Sequence, residues 1–310
     1  MDSKNNKKIG GVIPPMITPV NQDGSADEHG LKKVIDHCIN GGVHGLFVLG
    51  SAGEGMNFNR MERNRVIKIS IEHADNRVPV LCGVLDTATA KVIENIKAAE
   101  QMGAQYVVAT PAFYYDCVSQ SEVVRHFEKI CASTTLNVIS YNIPGLTHVN
   151  MQPSTVMEIC EIDNLIAHKE STGNWEQFQN LLFLFEGKDF PIITGPEEFI
   201  GASLLFGSNG CVPCMANFYP KIYAKLYEHA VSKKTDEVYK YQKAITHLGN
   251  SIAFCKSWVS GLKYVGKITR LCKEYVTLPI EPLIDSEKRQ IEDLIEDFKK
   301  ELSEINPDLL

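Results

Sequence analysis

The sequence predicts a (β/α)8 barrel followed by a helical C-terminal extension. Short apolar runs alternate eight times with segments of helical periodicity, at a spacing of roughly 25–35 residues. After about Ser232 the strand signals stop and only helical patterns remain. Strands that alternate with helices pair in parallel, and eight such units close into a barrel. An open, doubly wound sheet is the alternative, but no Gly-x-Gly-x-x-Gly marks the first turn. The barrel is expected over residues 1–232 and the extension, packed on it, over residues 233–310.

The first strand is read within Lys8–Val20 and ends near Thr18-Pro19. Ser25-Ala26-Asp27-Glu28 supplies a capped, acidic helix start. Leu31, Val34, Ile35 and Cys38 then form one apolar face, and Gly41-Gly42 closes the helix. The cycle repeats with a strand at His44–Leu49 and a helix at Arg60–His73, then a strand at Val78–Val84 and a helix at Asp86–Met102. Tyr106–Ala109 precedes a helix at Ser119–Cys131, and Leu136–Tyr141 precedes one that starts near Pro153. Leu165–Lys169 is followed by a helix at Trp175–Phe185, and Pro191–Thr194 by one that runs to Phe206. Gly210–Pro213 and a helix at Tyr219–Val231 complete the eight units. In the extension, Ile291, Leu294, Ile295, Phe298 and Leu302 make the apolar stripe of a last helix.

Composition narrows the function classes. With 44% hydrophobic and 22% charged residues the chain has the balance of an ordinary soluble globular protein. A net charge of −7 and the lack of any basic run argue against nucleic-acid or anionic-membrane partners. The polar start Met1–Lys8 has no apolar signal-peptide core, and no apolar run approaches a bilayer-spanning length. Nine scattered cysteines do not form a disulfide framework. A reduced cytoplasm is the expected location.

Barrel enzymes place their chemistry at the C-terminal ends of the strands. Strand six, Leu165-Ile166-Ala167-His168-Lys169, ends on a lysine and runs at once into Glu170-Ser171-Thr172-Gly173. Burial there disfavours the ammonium, and a neutral amine can attack a carbonyl to form a Schiff base. Lysines that merely end a strand and reach for water are common, so Lys169 alone does not establish this chemistry. Strand two ends in Gly50-Ser51-Ala52-Gly53-Glu54-Gly55, whose backbone N–H groups can converge on a carboxylate. Tyr114-Tyr115 follow strand four, and Tyr141-Asn142-Ile143-Pro144-Gly145 closes strand five with a phenol able to shuttle protons. Cys211-Val212-Pro213-Cys214 has the form of a zinc or redox motif, but no second pair at ligand spacing completes it. Packing cysteines are expected, with no metal. His168 points to the opposite strand face from Lys169 and is read as a structural histidine between barrel and helices.

Gly-Ser-x-Gly-Glu after strand two, Tyr-Asn-x-Pro-Gly after strand five and Lys-Glu-x-Thr-Gly after strand six, in this order and spacing, resemble the dihydrodipicolinate synthase / N-acetylneuraminate lyase family. The likeness runs from about Ile9 into the C-terminal helices. It implies a Schiff-base enzyme that binds pyruvate, or a 2-oxo acid that yields it, and that assembles as a homotetramer, a dimer of dimers. No metal or organic cofactor is implied. Carried over by position, Lys169 is the nucleophile, Tyr141 the acid/base, and Ser51 a relay hydroxyl. The backbone of Ser51, Ala52 and Gly53 would hold the pyruvate carboxylate. Val212 would lie near the pyruvate methyl and Cys214 near the substrate tail. Gly195, Ser171 and Tyr115 complete the implied substrate contacts.

Two departures from the family pattern shape the substrate expectation. Ala52 stands where a second hydroxyl residue is usual, and Leu146 where the synthases carry arginine for a second carboxylate. Leucine cannot make that charge-assisted pair. Gly195-Pro196-Glu197-Glu198 resembles the acidic run with which the lyase branch holds sugar hydroxyls, although such acids also favour a helix start. The expected reaction is retro-aldol cleavage of a 2-oxo (3-deoxy) sugar acid or sialic acid to pyruvate. The alternatives are condensation of pyruvate with aspartate semialdehyde and, from another class, a non-catalytic 2-oxo acid sensor.

Overall fold

The computed structural model describes residues 9–115 and 118–309, so the Met1–Lys8 start lies outside it. Eight strands form one parallel sheet in the order β1-β8-β7-β6-β5-β4-β3-β2. They are β1 (Gly11–Val12), β2 (Leu46–Val48), β3 (Val80–Gly83), β4 (Tyr106–Ala109), β5 (Asn137–Asn142), β6 (Leu165–Glu170), β7 (Ile192–Thr194) and β8 (Gly210–Cys211). The two edges meet just beyond β1, where Pro15 bridges Phe47 and Met16 N–H donates to the Phe47 carbonyl at 2.8 Å. This contact closes the barrel.

Alternation along each strand sorts side chains into two cores. Phe47, Leu81, Val108, Ile139, Tyr141, Ala167, Ile193 and Val212 fill the barrel interior. Leu46, Val48, Val107 and Val138 face outward and join the larger core between barrel and helices.

The helices that follow the strands are α1 (Glu28–Asn40), α2 (Arg60–Ala74), α3 (Thr89–Gln101), α4 (Gln120–Cys131), α5 (Pro144–Thr147), α6 (Pro153–Ile159), α7 (Trp175–Leu184), α8 (Ile200–Leu205) and α9 (Pro220–Val231). Four of them, α1, α2, α4 and α7, start on side-chain caps. Asp27 accepts from Gly30 N–H, Asn59 from Glu62 N–H and Asn174 from Gln177 N–H, while Ser119 and Glu122 form a capping box. The single turn α5 and the 3-10 turn at Met215–Asn217 carry no periodic signal in the sequence, and the helix expected to run to Phe206 opens on a 3-10 turn at Glu197–Phe199. No helix is long and apolar enough to cross a membrane among the described residues.

Beyond α9 the chain is helical, with α10 (Thr235–Ala253), α11 (Trp258–Ile268) and α12 (Asp285–Ile305). Ile291, Ile295, Phe298 and Leu302 of α12 are buried as the stripe requires, while Leu294 is half-buried. The extension shares the outer core of the barrel. It is also tied to it by a buried ion pair, Lys263 Nζ to Glu54 Oε1 at 2.6 Å, with both side chains fully enclosed. The same ammonium donates to the carbonyls of Thr18 at 2.7 Å and Tyr275 at 3.0 Å. Glu54 Oε2 accepts from the N–H and hydroxyl of Thr277 at 2.7 and 2.6 Å.

Removing one partner of a buried pair strands the other charge and costs about 3–5 kcal/mol. Lys263→Met is therefore expected to lower urea-unfolding stability by that amount, and Glu54→Gln/Lys263→Met to lose less than Lys263→Met alone. A Lys263→Met variant as stable as wild type would show that the pair does not anchor the extension.

Candidate active site

β5 and β6 pair in register, Tyr141 beside Lys169 and Asn142 beside Glu170. Strand alternation therefore sends Tyr141 and Lys169 together into the barrel and their neighbours outward. Lys169 Nζ lies over the Tyr141 ring, 3.8 Å from its centroid, and 5.1 Å from that of Phe47. Lys169 is 6% exposed and Tyr141 3%. Burial lowers the amine to a pKa of about 7. Burial likewise pushes the Tyr141 phenol above its ordinary range, opposed by hydrogen bonds with the Ser171 and Ser51 hydroxyls. The pair thus presents a readily neutralised amine against a protonated phenol at neutral pH.

The outward side of the same two strands is polar and satisfied. His168 is fully buried between Ser140 Oγ (Nδ1, 2.9 Å) and Glu170 Oε2 (Nε2, 3.3 Å). Asn142 and Gln177 also donate to Glu170, as does the N–H of Thr172 at 2.9 Å. Burial alone would raise the Glu170 carboxyl, but the bonds from His168, Asn142 and Thr172 more than offset it and hold it below its usual value. His168 sits where strand parity placed it, between barrel and helices.

The turn after β2 approaches Lys169 from across the barrel. Leu49 (φ 57) and Glu54 (φ 54) take left-handed backbone, which curls the chain back on itself. A Cβ at Gly55 would overlap the Leu49 carbonyl, so this position admits only glycine. The turn's internal bonds use the N–H groups of Gly53, Glu54 and Gly55. Among the described residues, those of Ser51 and Ala52 have no protein acceptor and can receive a carboxylate.

A cavity of about 430 Å³ at the C-terminal mouth of the barrel is lined by Lys169, Tyr141, Ser51, Ala52, Ser171, Gly195, Glu197, Glu198, Val212 and Cys214. A Cβ on Gly195 would collide with Ser171 Oγ, so the glycine lets the β7 exit pass beside that hydroxyl. Two expected site residues lie elsewhere. Gly53 packs against the segment that follows β1, its carbonyl accepting from Thr18 Oγ1 at 2.8 Å. Tyr115 is 67% exposed, because Tyr114 (φ 93) turns the loop outward and the two rings meet edge to face at 5.3 Å.

The two acids after β7 differ. Glu197 reaches the cavity wall, but one carboxylate oxygen accepts from Met215 N–H at 3.1 Å and the other from the Tyr223 hydroxyl. Burial raises its pKa. Glu198 is exposed on the rim and has no protein partner among the described residues. Cys211 is buried in the outer core, whereas Cys214 reaches the cavity, its thiol pushed up to about 12 by burial. No group of three or more His, Cys, Asp or Glu is placed to hold a metal among the described residues.

Sequence reasoning missed the wall that the extension supplies. Ile245, Thr246, Gly249, Asn250 and Ile252 of α10 and Trp258 of α11 all line the cavity. Their helical pattern announced an apolar face but not what that face would meet. Leu146 lies on the neighbouring α5, half exposed, beside a second hollow that shares Ser51, Ile143 and Trp258 with the first.

The chain matches the Dihydrodipicolinate synthetase family over residues 8–298. It is 31% identical to the 4-hydroxy-tetrahydrodipicolinate synthase of Pelobacter propionicus, covering 90% of this chain and 94% of that one. It is 29% identical to the putative 2-dehydro-3-deoxy-D-gluconate aldolase YagE of Escherichia coli K12, over 93% and 97%. The crystal structure of YagE in complex with pyruvate superposes with a TM-score of 0.90 at 28% identity, covering 94% of this chain and 98% of that one. A dihydrodipicolinate synthase from Bacteroides thetaiotaomicron gives 0.87 at 32%, covering 93% and 98%. Matched over nearly its whole length, the chain belongs to the Dihydrodipicolinate synthetase family of Schiff-base-forming pyruvate aldolases.

Proposed function

We propose that the protein cleaves a 2-oxo-3-deoxy sugar acid to pyruvate and an aldehyde. The observation that carries this reading is the charge of the cavity wall. Lys169 is the sole cationic side chain lining the cavity among the described residues, and the free carboxylate of Glu198 stands on the rim. A second substrate carboxylate would find no cation there, whereas a hydroxylated tail finds an acceptor. The likeness to a relative named as a 2-dehydro-3-deoxy-D-gluconate aldolase supports the same reading.

In this mechanism the neutral Lys169 amine attacks the C2 carbonyl, and the Tyr141 phenol gives its proton to the departing C2 oxygen, which leaves as water and gives an iminium. The Ser51 and Ala52 N–H groups hold the substrate carboxylate. Tyr141, having given up its proton, takes that of the C4 hydroxyl as the C3–C4 bond breaks. The bonding electrons flow into the iminium to give an enamine, and the aldehyde departs. Protonation of the enamine at C3 and hydrolysis release pyruvate and restore the amine. Lys169 forms the covalent link with no metal or organic cofactor. The family resemblance implies that the chain assembles as a homotetramer. Sedimentation should then give four chains per particle, and a monomer at micromolar concentration would rule it out.

An amine with a pKa of about 7 is half neutral at that pH and protonated below it. Borohydride trapping of pyruvate on Lys169 should therefore rise with pH through about 7 and level off above. An ordinary lysine would go on rising toward its own pKa of about 10.4. Lys169→Ala should abolish trapping, and label on another lysine would refute the assignment. Tyr141→Phe should cut turnover by roughly 10²–10⁴-fold, and near-normal turnover would move the proton transfer elsewhere.

Pyruvate release from a 2-oxo-3-deoxy sugar acid should exceed condensation with aspartate semialdehyde in kcat/KM. Glu198→Gln should raise KM for the sugar acid by roughly three- to tenfold, the worth of a charged over a neutral acceptor, with pyruvate trapping intact. Efficient condensation alongside no cleavage of any sugar acid would overturn the reading in favour of the synthase.

A further inference from the structure

Glycine is the least favourable helix residue after proline, so a glycine within a long helix calls for a reason. Most of the helical glycines here have one in packing. A Cβ on Gly30 of α1 would lie 2.8 Å from Pro19 Cβ, and one on Gly201 of α8 2.8 Å from Val238 Cγ1. On α11, a Cβ at Gly261 would lie 3.0 Å from Ile252 Cβ, and one at Gly266 would strike Cys272 Sγ. Gly249, in the body of α10, differs. A Cβ built there meets nothing within 4 Å, so no neighbour in the chain requires its absence. Gly249 lines the Lys169 cavity, and the space where its side chain would stand is open.

The residues on either side point the same way. Thr246 and Asn250, one turn before and one residue after, also line the cavity. The Thr246 hydroxyl is partly engaged, donating to the Gln242 carbonyl at 2.9 Å. The Asn250 amide is exposed and has no protein partner among the described residues, which leaves a donor and an acceptor for a ligand. The extension thus offers a gap with a free polar group beside it, across the cavity from the barrel strands.

We propose that Gly249 sets the length of aldehyde the enzyme accepts, its missing side chain leaving room for the distal hydroxylated carbons and Asn250 hydrogen-bonding to them. This rests on the sugar-acid reading above and assigns to α10 the part of the substrate furthest from Lys169. Gly249 takes no part in the bond-making steps and acts on the fit of the acceptor alone.

The test is aldol addition of pyruvate to glycolaldehyde, D-glyceraldehyde and D-erythrose by wild type, Gly249→Ala, Gly249→Val and Asn250→Ala. An extra methyl in a fitted pocket changes kcat/KM by about tenfold or more. Gly249→Ala should lose that much with erythrose, less with glyceraldehyde, and under about twofold with glycolaldehyde; Gly249→Val should steepen the trend. Asn250→Ala should weaken erythrose most, through KM. Borohydride trapping of pyruvate should be unchanged in all three variants. The melting temperature of Gly249→Ala should equal or exceed that of wild type, since alanine is the better helix former. Losses equal for all three aldehydes, or none with erythrose, would overturn the proposal while leaving the sugar-acid reading standing. Wild type inactive with every hydroxy aldehyde would overturn that reading, and this one with it.

Discussion

One buried ammonium holds the architecture around the site together. Lys263, on α11, meets the segment after β1 at Thr18, the turn after β2 at Glu54 and the loop beyond its own helix at Tyr275. A charge so enclosed tolerates no loose partner, so three distant stretches of chain are held in register on one nitrogen. Glu54 in turn gives its second oxygen to Thr277, which ties the loop that follows α11 to the same turn. Arg63 of α2 braces the turn from the other side through the carbonyls of Gly83 and Gly55. The position of α10 over the cavity follows, because the extension cannot shift without stripping Lys263 of its acceptors.

Within that frame, the chemistry depends on how differently the two faces of β5 and β6 treat charge. The inner face gives Lys169 and Tyr141 mainly aromatic and aliphatic company, so burial favours the neutral form of each. The outer face surrounds Glu170 with donors and keeps its carboxyl below the usual value despite enclosure. Strand parity keeps the two environments one residue apart in sequence and on opposite sides of the sheet.

Glu197 and Glu198 make the same point about polar groups. Adjacent in the chain and alike in chemistry, they part because the 3-10 turn they begin rotates one toward Tyr223 and Met215 and the other toward solvent. The first becomes a structural contact that fixes the exit of β8; the second keeps its hydrogen-bonding capacity for a ligand.

The sequence by itself determined the barrel, the order of its elements and the strand ends that carry Lys169, Tyr141 and Ser51, because each follows from local periodicity, capping or parity. Parity was enough to put His168 and Lys169 on opposite faces. The turn chemistry of Gly50–Gly55 was also legible, since small residues in such a run imply close backbone approach. The tertiary structure alone decided that Tyr115 turns outward, that Gly53 packs against the segment after β1, and that Glu197 is bound internally by a tyrosine 26 residues further on. It alone showed that α10 walls the cavity and that Lys263 pairs with Glu54 across more than half the chain. Those outcomes rest on contacts between segments far apart in sequence, where hydrophobic pattern says that a face is buried and is silent about what it is buried against.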